Sequence, residues 1–100
     1  MNSDDLLLYL RSNCLGHKRA IKSVVLEKEL HLSANELRRR VNRLRRKGIP
    51  IGSSKDGYFY AVTAGEVYST IRQLMVVASG LEAAIEGLEL SLDHFEEEVG

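Results

Sequence analysis

The sequence predicts a mainly α protein with a small β-hairpin, in which a helix-turn-helix and the hairpin are followed by a long C-terminal helix. Three observations predict it. A capping box, Ser33-x-x-Glu36, opens one helix just after another has ended. Two short runs rich in β-branched and aromatic residues flank a loop of Gly, Ser and Asp. One apolar register of alternating four- and three-residue steps then continues unbroken from Val67 to Val99.

In chain order, Asn2 caps a first helix, with Asp5 at the capping-box position and Asp4 favourable near the positive helix end. Leu6, Leu7, Leu8, Tyr9 and Leu10 follow, and the helix runs to about Ser12. Asn13 to Lys18, containing Gly16, reads as a loop. From Arg19 to about Leu30 the positions Ile21, Val24, Val25 and Leu30, with Leu26 as a further candidate, recur at helical spacing and leave Lys22, Glu27, Lys28 and Glu29 outward. His31-Leu32 ends that second helix. The third runs from about Ala34 to Lys47 and stops at Gly48, with Pro50 preventing continuation. Ile49-Pro50-Ile51 and Tyr58 to Val62 are strand candidates joined by the loop Gly52 to Gly57, with Phe59 assigned to the core. Helix, helix-turn-helix and hairpin in that order make the winged-helix plan, which residues 1–62 satisfy. Thr63-x-x-Glu66, another capping box, opens the helical arm of residues 63–100.

The chain has 100 residues, enough for one ordinary domain plus an appendage. With 44% hydrophobic residues, four Tyr, two Phe and no Trp, it predicts a folded protein with a mainly aliphatic core. The net charge of zero conceals two opposite halves. Residues 1–60 hold thirteen Lys and Arg against six acids, a surplus of +7; residues 61–100 hold only Arg72 against eight acids, a balance of −7. Such asymmetry points to a polyanion-binding part joined to something else. The single cysteine, Cys14, makes no internal disulfide and reads as a buried structural thiol. No stretch resembles a signal peptide or an 18-residue apolar run, so the expected location is the cytoplasm, with no membrane partner.

Function is carried by the third helix. At about 100° per residue, Leu37, Val41 and Leu44 share one stripe, while Asn35, Arg39, Asn42 and Arg46 centre the opposite face, flanked by Arg38 and Arg43. Arg donates a fork to guanine O6 and N7, and Asn both donates to and accepts from adenine, so these are the side chains of major-groove readout. Since a recognition helix presents its N-terminal turns to the bases, Asn35, Arg38, Arg39 and Asn42 are assigned to base edges, and Arg43, Arg46 and Lys47 to phosphates. Ser33 at the helix start joins this set. A solvated salt-bridged face would carry interleaved acids, and Glu36 is the only acid in the run. In the hairpin loop Ser53, Ser54 and Lys55 offer short donors and a cation, of which Ser54 and Lys55 are assigned to DNA.

Leu32-Ser33, Glu36-Leu37-Arg38, Val41-Asn42, Leu44-Arg45, Gly48-Ile49-Pro50-Ile51 and Gly57-Tyr58 resemble the helix-turn-helix and wing of bacterial winged-helix regulators of the biotin-repressor DNA-binding type, and small phage-associated proteins with the same pattern. The resemblance covers about residues 5–62. It implies that the third helix is the recognition helix and the hairpin the wing, with Asn35, Arg38, Arg39 and Asn42 facing DNA. No catalytic or ligand-binding domain follows the wing, so neither enzyme activity nor a small-molecule effector carries over.

In the arm, Ile71, Ala78, Ile85, Leu92 and Val99 occupy heptad position a, and Val67, Leu74, Leu81, Leu88 and Phe95 occupy d. This pattern favours a parallel pair. Gly80 and Gly87 each weaken the helix by up to ~1 kcal/mol but sit at outward positions. Glutamates at e (Glu82, Glu89, Glu96) face Val77, Ala84 and Ser91 at g, and the small apolar g residues widen the adhesive face, leaving a three- or four-helix assembly or packing back on the winged domain open. His17, His31 and His94 lack metal-ligand spacing or a nucleophile motif, and no phosphate-binding Gly loop occurs, so neither an enzyme nor a metal or other cofactor is expected. The sequence reading is a dimeric double-stranded-DNA-binding transcriptional regulator of repressor type. Its alternatives are a DNA-binding or oligomerising subunit of a phage packaging or replication machine, or a winged helix used for protein contact.

Overall fold

The computed structural model describes residues 4–99, with side chains for residues 4–95. It is mainly helical, with one two-stranded antiparallel sheet and a long C-terminal helix. Two compact units divide the chain, the first ending at Thr70 and the second starting at Ile71.

Helix α1 (Asp5–Asn13) is capped by Asp4, whose Oδ1 accepts from the Leu7 N–H at 3.3 Å; the cap expected at Asn2 lies outside the described residues. Leu6 and Leu10 fall one turn apart and are fully buried. The following segment departs from the loop that its composition predicts. Tyr60 N–H donates to Cys14 O and Gly16 N–H to Tyr60 O, both at 2.8 Å, so this stretch runs parallel to the hairpin's second strand. After a single 3-10 turn (His17–Arg19), Ile21 and Tyr58 exchange both backbone bonds at 2.8 and 2.9 Å. That extended pairing delays helix α2, which spans Ser23–Leu30 rather than starting at Arg19. Its core residue is Leu26, fully buried, whereas Val24 and Val25, expected inward, are 60% and 45% exposed. Leu26 and Leu30, one turn apart, form the inward stripe instead.

His31 adopts the left-handed conformation (φ 57°) and ends α2, with Leu32 N–H reaching back to Glu27 O at 2.9 Å. Helix α3 (Ala34–Arg46) opens with both halves of its capping box formed: Glu36 N–H donates to Ser33 Oγ at 3.1 Å, and Ser33 N–H to Glu36 Oε1 at 2.9 Å. Leu37, Val41 and Leu44 are its buried stripe.

Strands β1 (Ile51–Ser54) and β2 (Gly57–Tyr60) pair with Ile51 opposite Tyr60 and Ser54 opposite Gly57. The connection is therefore only Lys55-Asp56, not the six-residue loop Gly52–Gly57, and Ile49-Pro50 precede the strand instead of forming it. The cause is local: Ile49 N–H is taken by Leu44 O at the end of α3 (3.1 Å), and Pro50 has no N–H to contribute. Two glycines make the hairpin possible. At Gly52 a Cβ would stand 2.4 Å from the Phe59 ring; at Gly57 (φ 122°) it would meet Ile21 O. Phe59 is buried with Leu6, Leu10, Leu26, Leu37, Val41, Leu44 and Ile51 in one core.

Helix α4 spans Ala64–Val99. Its first two turns belong to the first unit, where Val67 packs against the core and Thr70 is 5% exposed. From Ile71 onward the helix forms the second unit by itself. No described helix is long and apolar enough to cross a membrane.

Candidate nucleic-acid interface

Three buried aliphatic residues on α3 fix which side faces the core, and thereby which side is left outside. Ser33, Asn35, Arg38, Arg39, Asn42, Arg43, Arg46 and Lys47 are all exposed. Among the described residues no carboxylate lies within 4.0 Å of the cations in this set. Glu36, the helix's one acid, is held at the N-terminus by Ser33, whose backbone N–H holds its carboxyl below the ordinary value. Arg38 Nη1 donates to Asn35 Oδ1 at 3.1 Å, aligning two of the outward side chains one turn apart. The Ser33 hydroxyl is engaged by the cap. α3 thus presents cations and amides well in excess of its single acid, which interacts at longer range with Arg40 and Arg39.

Arg45 is a different kind of arginine. Its Nε donates to Ile51 O at 2.8 Å and its Nη2 to Ser53 Oγ at 3.2 Å, and burial pulls its pKa below the ordinary value. It ties α3 to β1. Sequence reasoning gave this residue no role, although the signal was present: one step after Leu44 and four after Val41, Arg45 borders the buried stripe. Ser53 also donates its N–H to Thr70 Oγ1 at 3.1 Å, so α3, β1 and the start of α4 meet through one chain of hydrogen bonds.

In the hairpin, Lys55 is exposed at the turn and Ser54 is partly exposed. The Ser54 hydroxyl accepts from Asp56 N–H at 3.1 Å, and that of Ser53 from Arg45, so both serve the fold. Lys22, read from sequence as an outward residue of α2, instead precedes the helix and donates from Nζ to Lys55 O at 2.9 Å. A cleft of about 260 Å³ lies here, lined by Lys22, Ser23, Ser54, Lys55 and Tyr58.

A second cleft, about 410 Å³, is lined by His17, Phe59, Thr63 and Glu66. Glu66 N–H donates to Thr63 Oγ1 at 3.1 Å, while the Glu66 carboxylate accepts from Val62 N–H at 2.8 Å and His17 N–H at 2.9 Å. These bonds, that from His17 first, hold the carboxyl below its ordinary value. Nδ1 of His17 stands 3.4 Å from the same carboxylate. Among the described residues no group of His, Cys, Asp and Glu is arranged to hold a metal ion. Cys14 is buried, which pushes its thiol pKa up.

Of the residues assigned to association, Val67 lies partly buried against the first unit's core. Ile71 and Leu74 are each 43% exposed, Leu81, Ile85, Leu88, Leu92 and Phe95 are 56–69% exposed, and Ala78 is exposed too. None of the known protein families, curated proteins or solved structures matches this chain.

Proposed function

We propose that the first unit is a winged helix-turn-helix and that the protein binds double-stranded DNA with α3 in the major groove. In this reading it is a sequence-specific cytoplasmic transcriptional regulator of repressor type, paired through α4. The observation that carries the proposal is the exposed Arg/Asn face of α3, without a salt bridge among the described residues and set on three buried aliphatic residues. Arg38, Arg39, Asn35 and Asn42 read base edges, Arg43, Arg46 and Lys47 hold phosphates, and Ser54 and Lys55 in the wing make further backbone contacts. A single recognition helix covers only a few base pairs, so two must be held at fixed separation, and the exposed heptad face of α4 supplies the joint.

The test is duplex binding across a salt series, using a random pool whose bound fraction is sequenced. Binding should weaken steeply with salt, because several phosphate contacts release counterions. Arg39→Ala should relax preference by about 1–3 kcal/mol at one base pair, whereas Arg46→Ala should weaken all sequences alike. Unchanged duplex affinity after combined replacement of Arg38, Arg39 and Arg43 by Ala would refute the assignment.

A further inference from the structure

We infer that the arm joins four copies rather than two, so that one particle carries two pairs of α3 helices and bridges two DNA duplexes. The inference rests on the proposed reading of α4 as a self-association element. It comes from a second apolar flank which a pair of helices leaves in water.

A two-stranded coil buries positions a and d alone, while a helix in a larger bundle buries a, d and one flank as well. In α4 that flank is g, where Val77 is 59% exposed and Ala84 is exposed, continuous with Leu74, Leu81 and Leu88 at d. Beyond g lie Gly80 and Gly87, where a Cβ would meet nothing within 4 Å, so a neighbouring helix can approach that side closely. Between Ile71 and Phe95 the acids are confined to the other flank: Glu82, Glu86, Glu89 and Asp93 follow one another in steps of four, three and four and form a single strip at e and b. From Gln73 to Leu81 the helix carries no charge at all.

The occupant is a second copy of this chain. From Val77 to Ser91 the flank repeats with the arm's own heptad period and holds neither cation nor anion, so over that span two identical faces meet without like charges. A charged partner finds no complement on it. In a four-helix bundle each helix keeps one sector in water, which the acidic strip matches; Arg72 is the arm's only cation, so burying that strip would leave its carboxylates unpaired.

Light scattering of the full chain should give the mass of four 11.2-kDa chains, and Val77→Glu with Ala84→Glu should halve it while helix content is retained. An immobilised duplex should retain a second, labelled duplex through the unaltered chain. The double variant should lose that retention at least tenfold yet keep single-duplex affinity within about threefold. A two-chain mass for the unaltered protein, at concentrations where it binds duplex, overturns the inference and leaves the DNA reading standing. A four-chain particle that binds no duplex upholds the assembly and refutes the DNA reading. Ala84→Glu alone, a milder change on an exposed helix face, separates loss of assembly from loss of fold: a four-chain mass retained in both variants also overturns the inference.

Discussion

Replacing Gly52 by Ala isolates the contact that seats the hairpin on the core. On backbone entropy alone the change stabilises a strand, because glycine in a strand interior is worse than alanine by roughly 0.5–1 kcal/mol. The structure reverses the sign. A Cβ at position 52 would stand 2.4 Å from both Cε2 and Cζ of Phe59, against about 3.5–4.0 Å for a relaxed carbon contact, so the ring must retreat by more than about 1 Å. Phe59 is 2% exposed and packs in the core, so its retreat disturbs the side chains around it. Overpacking of this kind costs about 1–3 kcal/mol, and in a unit of this size each kcal/mol lowers Tm by roughly 4–8 °C, for an expected fall of roughly 4–24 °C. The assay is thermal and urea unfolding followed by the near-ultraviolet tyrosine signal in a Tyr68→Leu background, where two of the three remaining tyrosines sit in the hairpin, since far-ultraviolet signal is weighted towards α4. In a Phe59→Leu background the added cost of Gly52→Ala should shrink by about 1–2 kcal/mol, because the two sites touch. An equal cost in both backgrounds, or a stabilising Gly52→Ala, would refute the reasoning.

Two further perturbations probe the joint between the start of α4 and the rest of the first unit. The Glu66 carboxyl is held below its ordinary value by the His17 and Val62 amides, so the native state binds its proton less readily than the unfolded chain does. Its contribution is therefore complete above the unfolded value of about 4.3 and is lost as pH falls through the lower native value. Glu66→Gln should lower Tm at pH 7, and the gap to the parent should close on acidification; a gap that does not change with pH would show that the carboxylate's charge is not its source. Thr70→Val keeps the shape but removes the acceptor for the Ser53 amide, leaving a partly buried N–H unpaired at a cost of about 1 kcal/mol, the lower end for a buried donor. Thr70→Ser, which keeps the hydroxyl, should recover most of that in urea denaturation, and a serine variant less stable than the valine variant would contradict the hydrogen-bond account.

The elements set by local rules were legible in the sequence, and those set by distant partners were not. α3 was readable to within a residue at its end because its start is a reciprocal side-chain cap and its stop a glycine in the left-handed region. The stripe of Leu37, Val41 and Leu44 follows from spacing alone. By contrast, residues 14–21 carry loop composition, and their extended pairing is supplied by Tyr58 and Tyr60, some forty residues away in the chain. Nothing local in Ala20-Ile21 distinguishes a helix start from a strand, so α2 was read one turn too long and Val24 and Val25 were turned inward. The hairpin failed in the same way: Gly52, Ser53 and Ser54 have turn composition, yet they enter the strand because Phe59 requires a residue without a side chain opposite it. The outward residues of the candidate interface needed only the helix period. Lys22 and the inward role of Arg45 needed the tertiary contacts.

That division within α3 bears on how the candidate surface is held. Six of the helix's cations and amides are exposed on a backbone whose opposite side is pinned by three aliphatic residues, and Arg45 adds two bonds from the same helix to β1. β1 is fixed in turn by Thr70, and the hairpin closes through a turn of only two residues, whose Lys55 carbonyl is held by Lys22. A surface built on rigid elements in this way orders side chains but little backbone when a polyanion binds. Since fixing one residue's backbone costs about 1–2 kcal/mol, a six-residue mobile loop at this position would give up several kcal/mol of binding that the two-residue turn retains. In the proposed reading the half-buried Arg45 therefore supports binding without touching the ligand, and an arginine count over α3 overstates the groups available for contact.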